Sequence, residues 1–169
     1  MKQFKTLLIA VTLVLGATSF TNAQTKVAHI ATQELIEQMP TYKAAMNQLE
    51  KLQKTYDTEI KDMVTEAQGT MKRYEAEAQT KTDEENAKRA NELQQTQRTI
   101  GEYRQNAMQE LQKKEMELLK PVLEKARTTI QKVARAKGFD YVLDSTTGTG
   151  VIMADGYDLM PDVKKELGI

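Results

Sequence analysis

The chain is 169 residues long, and 24 Lys and Arg offset 24 Asp and Glu, a balance that argues against a dedicated binder of nucleic acid or other polyanions. Hydrophobic residues make up 40% and aromatics 5%, with no Trp, which is thin material for a compact core and predicts an elongated shape. The absence of Cys excludes disulfides, thiol catalysis, zinc–thiolate sites and Cys-linked lipid anchors.

Residues 1–23 read as a secretory signal. Lys2 and Lys5 precede an apolar run from Leu7 to Leu15, and Thr21-Asn22-Ala23 supplies small residues before a cut ahead of Gln24. The run is shorter than the ~20 residues that span a bilayer. No second long apolar segment follows, so the exported chain is expected to be soluble, with 22 basic against 24 acidic residues. Outside the inner membrane there is no ATP supply, and no G-x-x-x-x-G-K-[ST] loop occurs.

Val27–Ile30 reads as a short strand and Thr32–Met39 as a short helix ahead of Pro40. From Pro40 to Lys120 only Gly69 and Gly101 interrupt a run of helix formers. Steps of four and three from Tyr42 pass through Met46, Leu49, Gln53, Tyr56, Ile60, Met63, Ala67, Thr70 and Tyr74, a heptad seam that dies at Glu77 and Lys81. Thr82-Asp83-Glu84-Glu85 has the form of a capping box and marks a new helix. Ala90, Leu93, Gln97, Ile100, Arg104, Ala107, Leu111, Lys114 and Leu118 form its seam. Folding the chain back near residue 80 sets Ile60 against Ile100, Ala67 against Leu93, Leu49 against Leu111 and Arg104 against Tyr56. Each arm is then about 55–60 Å long at ~1.5 Å per residue. Such a hairpin projects into solvent, and a seam rich in Met, Tyr and Ala predicts arms that bend and splay. Pro121 is expected to end or kink the second arm. Val122, Ala126, Ile130 and Val133 then continue an amphipathic helix to a stop at Gly138.

Phe139, Tyr141 and Leu143 alternate as a strand, Ser145–Gly148 reads as a turn, and Val151-Ile152-Met153 reads as a returning strand. Leu159, Val163 and Leu167 have helical spacing, with Pro161 near the helix start. The two ends, 24–39 and 138–169, thus form one β-rich body interrupted by the arm at 40–137. Forty-eight residues without disulfides are marginal alone, so the body is expected to complete its core by oligomerisation, through Val27, Ile30, Tyr141, Leu143, Val151 and Met153. The fold class is α+β: a long antiparallel helical hairpin projecting from a small β-rich oligomerisation body. Residues 41–137 hold 19 basic and 16 acidic residues and the body 3 and 8, so the arms attract acidic partners weakly.

The segments Gln33-Glu34-Leu35-Ile36-Glu37-Gln38-Met39-Pro40, Lys137-Gly138-Phe139-Asp140-Tyr141-Val142-Leu143-Asp144 and Val151–Val163, flanking a long charged hairpin, resemble the Skp/OmpH family of periplasmic chaperones. The resemblance covers the chain from the cut onward. It implies a homotrimer whose small β-barrel-like body carries three helical tentacles, which enclose unfolded outer-membrane proteins and hold them without nucleotide. Two departures stand out: Asp158-Leu159-Met160 replaces the family's Asp-Ile-Thr, and the charge is near neutral where many members are basic. Weak contact with a membrane surface or lipopolysaccharide is the most that the arm charge implies. Lys72, Arg73, Lys81, Lys88 and Arg89 near the tip are diluted by Asp83, Glu84 and Glu85, and no such site is carried over.

Nothing points to an enzyme, a metal or a cofactor. His29 is the only histidine and reads as a strand residue, and Ser145 lacks a G-x-S-x-G elbow. Gly148-x-Gly150 reads as turn glycines, and the acids Asp140, Asp144, Asp155, Asp158 and Asp162 lack calcium-loop spacing. Met63, Met71, Tyr74, Met108 and Met116 are the candidate client-binding residues, since adaptable thioethers and aromatics suit segments of varied shape. Each also suits seam packing. The expected function is an ATP-independent holdase. The alternative is a scaffolding coiled coil of the envelope that binds a folded partner, which a firmer Leu/Ile seam would favour.

Overall fold

A computed structural model describes residues 25–169, so the expected signal segment 1–23 and the cut before Gln24 lie outside the described residues. Strand β1 (Val27–Ile30) leads into helix α1 (Thr32–Gln38), the long helix α2 (Pro40–Glu77), a 3-10 turn (Ala78–Thr80) and the longer helix α3 (Asp83–Ala136). Strands β2 (Tyr141–Asp144) and β3 (Tyr157–Asp158) and helix α4 (Met160–Leu167) complete the chain. The fold is the expected α+β arrangement, a helical hairpin on a small sheet.

Local chemistry sets the element ends. Pro40 opens α2, where its missing N–H costs nothing. Thr82 caps α3: its hydroxyl accepts from the Glu85 N–H at 3.2 Å, and the Glu85 carboxylate accepts from the Thr82 N–H at 3.1 Å. These bonds lower the Glu85 carboxyl below its ordinary range. Helix α3 runs unbroken through Pro121, which therefore does not end the arm. It stops before Gly138, whose φ of 74° is the left-handed conformation that a helix C-terminus requires.

The sheet has the order β2-β1-β3, and both pairings are parallel. Val27 pairs with Tyr141 and Ile30 with Asp144, while Ala28 and His29 pair with Tyr157 and Asp158. The expected returning strand at Val151–Met153 is absent. That stretch is coil, with Ile152 fully exposed and Met153 77% exposed. The third strand instead lies at Tyr157–Asp158, on the far edge of β1. The connection from Ser145 to Gly156 is twelve residues long, the length a parallel crossover needs, whereas a return through the four-residue turn would have been antiparallel.

The core sits where the two chain ends meet the base of α3. Ala28 and Ile30 from β1, Leu35 and Met39 around α1, and Leu159, Met160 and Val163 around α4 pack onto Val122, Ala126, Ile130, Val133 and Ala134. Ile30, Leu35, Leu159 and Val163 are fully buried. Steps of four, four and three from Val122 to Val133 keep one stripe of α3 against the sheet. The body therefore has an internal core that draws on the last turns of α3. Asp144 ties its ends together, accepting from the Thr32 N–H and hydroxyl and from the Thr146 N–H and hydroxyl.

Candidate binding surface

The arm is the pairing of α2 with the first two-thirds of α3. On α2 the covered residues are Ala45, Leu49, Leu52 and Tyr56, then Ile60, Met63, Ala67, Thr70 and Tyr74. On α3 they are Arg89, Leu93, Thr96, Ile100, Tyr103, Ala107 and Leu111. Each helix takes two successive steps of four, at Leu52–Tyr56–Ile60 and at Tyr103–Ala107–Leu111. The two breaks lie at one level, where the Tyr56 and Tyr103 rings meet edge to face at 6.2 Å. A double step of four relaxes the left-handed supercoil there. A strict heptad passes over it. Hence Met46, Gln53, Ala90, Gln97, Arg104 and Lys114, expected on the seam, lie exposed, and Arg104 does not face Tyr56.

Near the tip the helices are clasped by polar groups. The Arg89 guanidinium lies 4.5 Å over the Tyr74 ring and donates to the Glu77 carboxylate at 2.6 Å, and the Tyr74 hydroxyl donates to Glu92 at 2.8 Å. Tyr74 thus sits beside Arg89 and Glu92, so the centre of the turn is a residue or two beyond the expected 80. Lower down, the Tyr103 hydroxyl donates to the Glu59 carboxylate, and this hydrogen bond holds the proton on the phenol and pushes its pKa up to about 12.

The candidate residues separate into two groups. Met63 is half-buried in the seam, and Tyr74 is held in the clasp. Met71, Met108 and Met116 are 39%, 71% and 63% exposed. Met46, at 42% exposed, joins them, freed by the departure from strict heptads. Two of the open hollows between the helices lie along the exposed arm. One, of about 470 Å³, is lined by Val64, Ala67, Met71, Leu93, Ile100 and Gly101, with Gln68, Gln97 and Arg104 at its border. The other, also about 470 Å³, is lined by Met46, Leu49, Gln53 and Leu111, with Glu50 and Glu115. Thioether and branched apolar walls open to solvent suit apolar side chains of varied shape.

Of the residues expected to serve oligomerisation, Ile30 is spent in the chain's own core. Val27, Tyr141, Leu143 and Met153 are exposed, and Val151 is half-buried. Beside β2, a third hollow of about 600 Å³ runs between Ile36, Leu123, Ile130, Phe139 and Val142. His29 and Ser145 meet, Nδ1 to Oγ at 3.2 Å, which ties β1 to the loop after β2. Among the described residues no cluster of three or more His, Cys, Asp or Glu could hold a metal ion, and no helix is long and apolar enough to cross a membrane.

A family model described as "Outer membrane protein (OmpH-like)" matches residues 26–167, every described element included. The chain belongs to the OmpH-like family. It is 23% identical over 155 residues to the chaperone protein Skp of Pectobacterium atrosepticum, covering 92% of this chain and 93% of that protein. It is 26% identical over 123 residues to the Skp chaperone of Photorhabdus luminescens, covering 73% and 74%. The solved structure of an OmpH-like protein from Caulobacter crescentus shares the fold, with a TM-score of 0.76 at 20% identity over 86% of this chain and 85% of that one.

Proposed function

We propose that this OmpH-like chain is an ATP-independent holdase of the periplasm, which binds unfolded outer-membrane β-barrel proteins between its arms and keeps them from aggregating. The observation that carries the reading is the arm itself. Two long helices leave the core, share a seam in which Leu and Ile are interspersed with Tyr, Ala and Thr, and expose Met46, Met71, Met108 and Met116 along their length. Thioether side chains adapt to many shapes at low cost, as a binder of unfolded chains requires. No step needs nucleotide. Three arms around one cavity would turn weak contacts into useful affinity through effective concentration.

A homotrimer would place the arms in that way. The exposed Val27, Tyr141 and Leu143, together with the apolar hollow beside β2, supply a surface that a second copy would cover. Residues 24–169 should suppress aggregation of a urea-unfolded outer-membrane β-barrel protein without ATP and should have a trimer's mass in solution. A monomeric mass, or no suppression at one trimer per client, would overturn the reading. A tight complex with a folded partner and indifference to unfolded chains would mark the scaffolding alternative.

A further inference from the structure

The two flanks of the hairpin are chemically different. One carries Glu59, Asp62, Glu66, Arg73 and Glu77 on α2 and Glu92, Thr99, Glu110 and Glu117 on α3, in helical steps that keep them on one side. It is closed by the Tyr103–Glu59 and Arg89–Glu77 contacts. The other flank opens into both apolar hollows, and Met108, 71% exposed, stands between them, four residues beyond Arg104 and three before Leu111. Gly101 lines the upper hollow, and a Cβ there would enter open space, with nothing within 4 Å. An exposed helical glycine costs about 1 kcal/mol relative to alanine.

The charges on this flank are unspent. Among the described residues, Arg104 at the upper hollow has no carboxylate within 4.0 Å, and Glu50 and Glu115 at the lower hollow make no ion pair. Arg104 and Glu115 are eleven residues apart on one helix, roughly 16 Å at ~1.5 Å per residue. An extended chain crosses that distance in about five residues.

We propose that this flank is a docking groove for an extended apolar peptide segment with a carboxylate opposite Arg104 and, about five residues away, a cationic side chain opposite Glu50 and Glu115. The proposal rests on the holdase reading, since the segment belongs to an unfolded client. Apolar side chains fill the two hollows, Met108 packs across the backbone between them, and the charges choose among apolar segments. The polar flank takes no client.

The test uses the full exported chain, residues 24–169, and two fluorescent peptides with the same alternating Leu and Phe. One carries Asp and Lys five residues apart, and the other carries Lys at both places. Gly101→Leu fills the upper hollow and suits a helix better than glycine, so a folding defect is not expected. It should weaken binding of the Asp/Lys peptide about fivefold or more, the threshold of a real contact. Arg104→Glu should reverse the preference towards the Lys/Lys peptide. Thr99→Leu, which puts the same side chain on the polar flank, should change neither affinity. Equal effects of Gly101→Leu and Thr99→Leu, or no charge preference in the parent, would overturn the groove. Aggregation suppression of an unfolded β-barrel protein separates the two readings. If the parent and Gly101→Leu suppress alike, the groove falls and the holdase stands. If the peptides obey the predicted preferences while the parent fails to suppress, the holdase falls and the groove stands.

Discussion

Asp144 joins the two ends of the chain through four hydrogen bonds, two of them from Thr32 and two from Thr146. Burial pushes its carboxyl up, but the hydrogen bonds from Thr146 and Thr32 outweigh that effect, and the carboxyl lies below its ordinary value. A carboxyl with a lowered folded pKa adds stability that is present above its unfolded pKa of ~4 and is lost as pH falls below it. Asp144→Asn should therefore cost about 1–2 kcal/mol at pH 7. The gap between parent and variant in urea midpoints should narrow as pH drops from 5 towards 3. A gap that stays constant with pH would show that the charge is irrelevant. Nothing in the sequence singled out Asp144 among the acids of the C-terminal segment, because its partner Thr32 is 112 residues away.

The paired helices were legible in the sequence to within a residue or two at their ends, apart from the break expected at Pro121, through which the second helix runs on. Pro40, the Thr82 capping box and Gly138 are local signals, each acting on its own turn of backbone. Thr82→Ala should remove the cap at a cost of about 1 kcal/mol. Amide exchange should speed up in the turn and the first turn of α3, with no change at Ile130 or Val133. Which residues face across the arm was less legible. The seam shifts by one residue at Ala45 and Leu52 and again at Thr96 and Tyr103, because the Tyr56–Tyr103 pair takes the space that a strict heptad would give to Gln53 and Arg104. That shift exposes Met46, and so it changes what the arm offers to a partner.

In the molecule as a whole, one core at the base anchors everything, built from the first strand, the last helix and the lower turns of α3. Ile30→Ala should cost about 2–5 kcal/mol, since the side chain is fully buried and its neighbours come from three separate parts of the chain. The loss should appear as lower amide-exchange protection at Ala28, Ala126 and Val133, while protection at Ile60 and Ile100 in the arm declines less. If both signals fell together, body and arm would be one cooperative unit.

Helix lengths, caps and the fold-back near the Thr82 cap followed from composition and nearest neighbours along the chain, because helical hydrogen bonds close within four residues. The order of the strands did not. A two-residue strand can pair on either edge of β1, and the choice of Tyr157–Asp158 over Val151–Met153 goes with the long-range packing of Leu159 and Val163 into the core with Ile30 and the base of α3. The chemical difference between the two flanks of the arm likewise arises only when α2 and α3 meet, since whether a residue lies in the seam or beside it depends on the partner helix.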